Sequence, residues 1–170
     1  MNDSDGKLHD NHEELFFFGR FVHSVDQQCR VAIPREWRCR ESRDTNLILF
    51  PGRDNDLLLF PFEVFREFLL KARKMALANR EVQQALAKLG SMARECRCDA
   101  QGRIKLSPEM LEKINVSDQL CMIGAMTHIK LCDPEHWDDG GNTDSWLDEL
   151  QQISESESDS SALFREIMRK

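Results

Sequence analysis

The sequence contains no tyrosine, and only five prolines and eight glycines among 170 residues. That excludes collagen-like and Pro/Gly-rich low-complexity chains. It has no run of about 18 apolar residues, which excludes a membrane-spanning helix. The opening MNDSDGKLHDNHEEL holds no apolar stretch of signal-peptide type, so a cytoplasmic protein is expected. In that compartment the six cysteines are expected as reduced thiols. Cys96 and Cys98 form no Cys-x-x-Cys spacing, and the five histidines cluster with no cysteine, so no metal and no cofactor is expected. A glycine-rich phosphate loop, a hydrolase elbow and a His-Glu-x-x-His helix are all missing, and His23 has no nucleophile or paired acid beside it. The expectation is a protein that is not an enzyme.

What is present is a 41% hydrophobic chain, enough for a packed interior, with a formal charge of −7. The charge is unevenly placed. Residues 1–15 hold five acids and one base, and 138–170 hold nine acids and three bases. The two tails therefore carry −10, and the intervening 16–137 carries +3. A mildly basic centre between acidic ends removes the objection that net charge raises against a nucleic-acid partner.

The centre repeats itself. VDQQCRVAI at 25–33 matches CDAQGRIKL at 98–106, pairing Asp26 with Asp99 and Arg30 with Arg103 at an offset of 73. Val31 and Ile33 pair with Ile104 and Leu106, and Leu47–Phe50 with Leu120–Ile123, at the same offset. Leu57 and Leu59 pair with Ile129 and Leu131 at an offset of 72. Pro61–Phe65 resembles Asp133–Trp137. Two copies are too few for a solenoid and suit a pseudo-two-fold pair within one chain.

Each copy reads as two strands around a polar turn. Phe16–Val25 and Arg30–Ile33 flank Asp26–Cys29, and Met92–Cys98 and Arg103–Leu106 flank Asp99–Gly102. Both are expected to close as β-hairpins. Pro34 and Pro108 suit first helical turns, with Ser107 as an N-cap. Further strands are expected at 47–50, 57–60, 120–124 and 128–132. Residues 62–90 show helical periodicity, with Phe62, Phe65, Leu69, Ala72, Met75 and Ala76 as one stripe and Val82, Leu86 and Leu89 as a second closed by Gly90. The expected organisation is a disordered acidic extension at 1–15, a first repeat with helical connection at 16–90, a second repeat at 91–137 and a mostly disordered acidic tail at 138–170.

The duplicated Asp-x-x-x-Arg turn has two readings. The carboxylate can hold the turn by accepting backbone N–H groups, with the arginine paired to it for purely structural reasons. Alternatively the turn fixes a guanidinium for phosphate or guanine edges, and the aspartate aims it. Arg35, Arg38, Arg40 and Arg43 form a basic run after the first turn, either a solvated face or a set of phosphate contacts.

FGRFVHSVDQQCRVAIP and ECRCDAQGRIKLSP resemble the two repeats of the MraZ family, and LLLFPFEVF resembles that family's strand followed by an aromatic-Pro step and a helix. The resemblance covers about 16–137. It implies an α+β fold of AbrB type, two tandem hairpin repeats forming a double-split β-barrel with flanking helices. It also implies ring-shaped homo-oligomers and a nucleoid-associated transcriptional regulator that binds short tandem repeats in double-stranded DNA, upstream of the division and cell-wall gene cluster. The motif arginines of the family fall on Arg30 and Arg103, and its aspartates on Asp26 and Asp99. The family usually has Gly before the motif Arg and often Lys before that; this sequence has Gln28-Cys29 and Gln101-Gly102. A turn that requires positive φ would strain Cys29. Phe18 stands where the family usually has an arginine, with Arg20 nearby as a substitute. The DNA-contact candidates are therefore Arg30, Arg20, Arg35 and Arg103. The alternative is an AbrB-like protein-interaction or antitoxin-type module with weak or no DNA binding.

Overall fold

The computed structural model describes residues 16–38, 46–76 and 79–137, with backbone alone for Met75 and Ala76. The two acidic tails and Arg40 and Arg43 lie outside the described residues. Among the described residues, eight strands and three α-helices are arranged in chain order as β1 (Arg20–Ser24), β2 (Arg30–Ala32), a 3-10 turn (Arg35–Trp37), β3 (Asn46–Pro51), β4 (Leu57–Pro61), α1 (Phe62–Ala76), α2 (Arg80–Met92), β5 (Arg94–Arg97), β6 (Arg103–Lys105), α3 (Pro108–Lys113), β7 (Gln119–Gly124) and β8 (Ile129–Cys132). The class is α+β with antiparallel sheets. The strands pair as a six-stranded sheet, β1-β7-β8-β4-β3-β5, and a two-stranded ribbon, β2-β6; no pairing among them closes a barrel.

The larger sheet is a palindrome of the repeat. β1 corresponds to β5, β7 to β3 and β8 to β4, and their registers correspond too. Ser24 lies opposite Gln119, and their counterparts Arg97 and Asn46 lie opposite one another. A pseudo-two-fold axis runs through two cross-copy pairs, Val31 opposite Ile104 in the ribbon and Leu58 opposite Lys130 in the sheet. Each of these residues faces its own repeat counterpart.

This pairing corrects the expected hairpins. The Asp26 N–H donates to the Arg30 carbonyl at 2.9 Å, and Asp99 to Arg103 at 2.8 Å, so each turn closes. Beyond the turn the arms part: β1 pairs with β7 and β2 with β6. Alternating apolar residues define which face of a strand is buried, not which strand lies beside it. Pairing across the axis buries Val31, Ile33, Ile104 and Leu106 together in one core with Leu47, Leu59, Leu120 and Leu131.

The helices follow the sequence with three differences. Asn79 caps α2, its Oδ1 accepting from the Glu81 and Val82 N–H groups. α2 continues through Gly90 to Met92, and Gly90 sits on an open surface where a helical glycine costs only about 1 kcal/mol. The packed stripe of α1 is rotated from the expected one: Phe65, Phe68 and Ala72 face inward, and Leu69 is exposed. After Pro34 there is a single 3-10 turn in place of an α-helix, anchored by the buried Trp37, whose Nε1–H donates to the Phe18 carbonyl at 3.1 Å. α3 begins at Pro108 with Ser107 as its cap, as the sequence indicates.

The outer face of the sheet differs between the copies. In the first, Ile48, Phe50 and Phe60 pack under Phe65 and Leu89 of the α1–α2 pair. Their repeat counterparts in the second are Cys121, Ile123 and Cys132, against which Trp137, the counterpart of Phe65, packs.

Candidate nucleic-acid interface

The two Asp turns are built alike, bond for bond. Asp26 Oδ1 accepts the N–H groups of Gln28 and Arg30, both at 2.9 Å, and Oδ2 accepts the Arg30 Nε–H at 2.8 Å. Asp99 Oδ1 accepts from Gln101 and Arg103 at 2.9 Å, and Oδ2 from the Arg103 Nε–H at 2.8 Å. A short acidic side chain at the first turn position is the group that can reach these orphan donors. The Arg30 backbone N–H, with the Arg30 guanidinium and the Gln28 N–H behind it, holds the Asp26 carboxyl below its ordinary range. The Arg103 backbone N–H, followed by its guanidinium and the Gln101 N–H, does the same for Asp99.

The fourth turn position has a left-handed backbone in both copies, φ +58° at Cys29 and +74° at Gly102. Glycine adopts that region freely and cysteine does not. The copies diverge for a packing reason. Arg38 lies over the second turn, its Nε–H donating to the Ile33 carbonyl at 2.8 Å and Nη1 to the Gln101 carbonyl at 3.1 Å. A Cβ on Gly102 would come within 2.2 Å of that guanidinium. At the matching place in the other copy stands Leu111, buried in the core, and the Cys29 side chain packs against the same core. The first turn thus has room for a side chain that the second lacks.

The turns meet on one side of the molecule. Arg103 Nη1 lies 3.9 Å from Asp26 Oδ2, and the Leu106 and Ile33 N–H groups donate to the Cys29 and Gly102 carbonyls at 2.9 and 3.0 Å. Val31 and Ile104 point into the core, so the alternate residues Arg30, Ala32, Arg103 and Lys105 face outward. The ribbon therefore carries three cations on its outer face, with Arg35 exposed beside it and His23 Nδ1 bonded to the Ala32 carbonyl at its edge. A guanidinium has five N–H donors, and Arg103 commits more than its Nε: Nη2 lies 2.8 Å from Asp99 Oδ2 and 3.2 Å from Gln101 Oε1.

Arg30, Arg103, Asp26 and Asp99 are brought together by the fold. Arg20 is not among them. It lies at the end of β1 away from Asp26, where its Nε–H reaches Cys121 Sγ and its Nη2 the Pro134 carbonyl, both at 3.4 Å. One residue was missed as a site member, and another was weighed only as part of a basic run. Lys105 follows Arg103 by two on one strand, and period-two alternation could have found it. Arg38 stood in the basic run weighed for phosphate contact, but nothing local placed it over the second turn, where it reaches the Gln101 carbonyl. Cys96 is buried, and burial pushes its thiol up to about 11. Among the described residues no His, Cys, Asp and Glu gather as a metal centre.

Fold and site together define a protein of two intertwined copies of a β-turn unit, with its basic residues displayed on a shared two-stranded ribbon. The MraZ family model, described as "MraZ protein, putative antitoxin-like", matches residues 90–165. A protein of Methylococcus capsulatus named "Transcriptional regulator MraZ" is 34% identical over 129 residues, 74% of this chain and 83% of its own. Proteins of the same name from Clostridium tetani and Corynebacterium urealyticum are 30% and 33% identical. They cover 84% and 72% of this chain, and 97% and 85% of their own lengths. The chain belongs to the MraZ family.

Proposed function

We propose that the outer face of the β2–β6 ribbon, with Arg30, Arg103 and Lys105 at its centre and Arg35 beside it, binds double-stranded DNA. On this reading the protein is a transcriptional regulator, selective for tandem repeats upstream of the division and cell-wall gene cluster, acting at the nucleoid. Arg20 serves only as an outlying phosphate contact. The observation that carries the reading is that both Asp turns and all three ribbon cations share one exposed side. An antiparallel ribbon of two strands has the width to enter a major groove. The names of the relatives support a regulatory role. The shared core under both sheets supports a double-split barrel.

Three cations per subunit make a weak contact, so affinity comes from several subunits engaging successive repeats at once. The exposed Phe16, Phe18 and Met126 support self-association into a ring. Phe16 stacks on Phe18, and Phe17 between them bridges to Met126, which makes an apolar patch on one end of the subunit. The observation favouring a protein-interaction module instead is that both motif arginines are already paired inside their own turns.

Salt titration of binding to repeat-containing DNA separates the two. Wild type should lose affinity steeply as salt rises, and Arg30→Ala and Arg103→Ala should each reduce the log–log slope by about one per engaged subunit. Variants that bind like wild type would show that the arginines only hold their turns. Absence of binding at low salt would favour the interaction module.

A further inference from the structure

Cys121 and Cys132 lie directly opposite each other on β7 and β8, and both are fully buried on the outer face of the sheet. Directly opposed residues of an antiparallel pair have Cα atoms about 4.5–5.5 Å apart, inside the span a disulfide bridges. The matching pair in the first copy is Ile48 opposite Phe60, so the copies hold the same register with bulky apolar groups in one and two sulfurs in the other. Arg20 adds an asymmetry within the pair. Its Nε–H donates to Cys121 Sγ at 3.4 Å, which sets a guanidinium beside that sulfur.

We propose that Cys121 and Cys132 are a redox pair that closes to an intrachain disulfide in the native fold when a low-molecular-weight disulfide such as glutathione disulfide is in excess. Cys121 gives up its proton and attacks one sulfur of the oxidant. The oxidant S–S bond breaks, and one glutathione leaves as thiolate and takes up a proton. Cys132 then loses its proton and attacks Cys121 Sγ; the mixed disulfide breaks and the second glutathione leaves. Two protein thiols are oxidised to one disulfide, and one glutathione disulfide is reduced to two glutathiones. Burial, and next the neighbouring Cys121, push the Cys132 thiol up to about 11, which disfavours it as the first attacker. Because both sulfurs are buried, the oxidant reaches them through local opening of the β7–β8 corner. The bridge then closes within one hairpin that already holds its register, so no strand has to move.

The test is equilibration of the full native chain in glutathione buffers of rising oxidation, followed by acid quench, alkylation of free thiols and tryptic mapping without reductant. Cleavage at Lys130 separates Cys121 from Cys132, so a bridge appears as a linked pair of peptides two hydrogens lighter than the thiols. The expected result is that this linked pair is the main intrachain product, and that the oxidised chain melts at a higher temperature than the reduced one. In Cys132→Ser the linked pair should vanish and glutathione should remain on Cys121. Recovery of both peptides in alkylated form over the whole range overturns the proposal, as does a bridge from either cysteine to a different one. So does a bridge that forms only in denaturant. The wild-type mapping decides the matter even if the variant fails to fold.

Discussion

At the scale of single residues, the Asp turns show how two positions with the same geometry carry different constraints. Asp26 and Asp99 each accept three N–H groups, and both carboxyls are held below their ordinary range by those donors. A carboxylate whose folded pKa is lowered contributes stability above its unfolded pKa, and that contribution is lost as pH falls through the folded value. The urea midpoint should therefore decline on acidification below the ordinary aspartate range, and in Asp26→Asn/Asp99→Asn this part of the decline should disappear. An unchanged pH profile would show that the turns do not depend on the charged form. Gly102 allows a sharper comparison. Gly102→Ala meets both a left-handed φ and the Arg38 guanidinium, so it should destabilise by more than about 1 kcal/mol. Gly90→Ala, on the open face of α2, should stabilise by about 0.5–1 kcal/mol. Chemical denaturation of the two variants should move in opposite directions.

At the scale of elements, the ribbon β2–β6 links the two copies most directly. It has only three residues per strand, and its stability rests on the inward pair Val31 and Ile104. Removing most of the Ile104 side chain, as in Ile104→Ala, should cost about 2–5 kcal/mol, read as a shift in denaturation midpoint. A loss within the range of surface substitutions would mean that the ribbon is not seated on the core. The helical elements were legible because their stripes and the Ser107 cap are local, whereas the Asn79 cap that opens α2 was not singled out. The rotation of the α1 stripe was not legible, because Leu69 and Phe68 are both apolar and only the sheet beneath decides which is covered.

At the scale of the whole molecule, each copy completes the other. β1 of the first copy lies beside β7 of the second, and β5 of the second beside β3 of the first. A chain cut between α1 and α2 should therefore give two pieces that show no cooperative melt as separate monomers, and that recover one when mixed. Circular dichroism at matched concentrations would check this; a cooperative melt of either monomeric piece would show that the repeats are independent units. The same intertwining places two turns, 73 residues apart in sequence, within ion-pairing distance on one exposed side.

The sequence by itself determined the repeat, because the offset of 73 recurs along the chain, and the turn aspartates with the arginines they hold, because those rest on contacts between residues four apart. It marked Cys29 as strained if the turn needs positive φ, and the backbone there has φ +58°. Tertiary structure decided which strand lies beside which, since a period-two pattern fits any partner of the right register. It separated Arg20 from the turns and brought Lys105 to the face of Arg30 across the ribbon. It also placed Arg38 over Gly102, whereas Leu111 at the matching place of the other copy turns into the core.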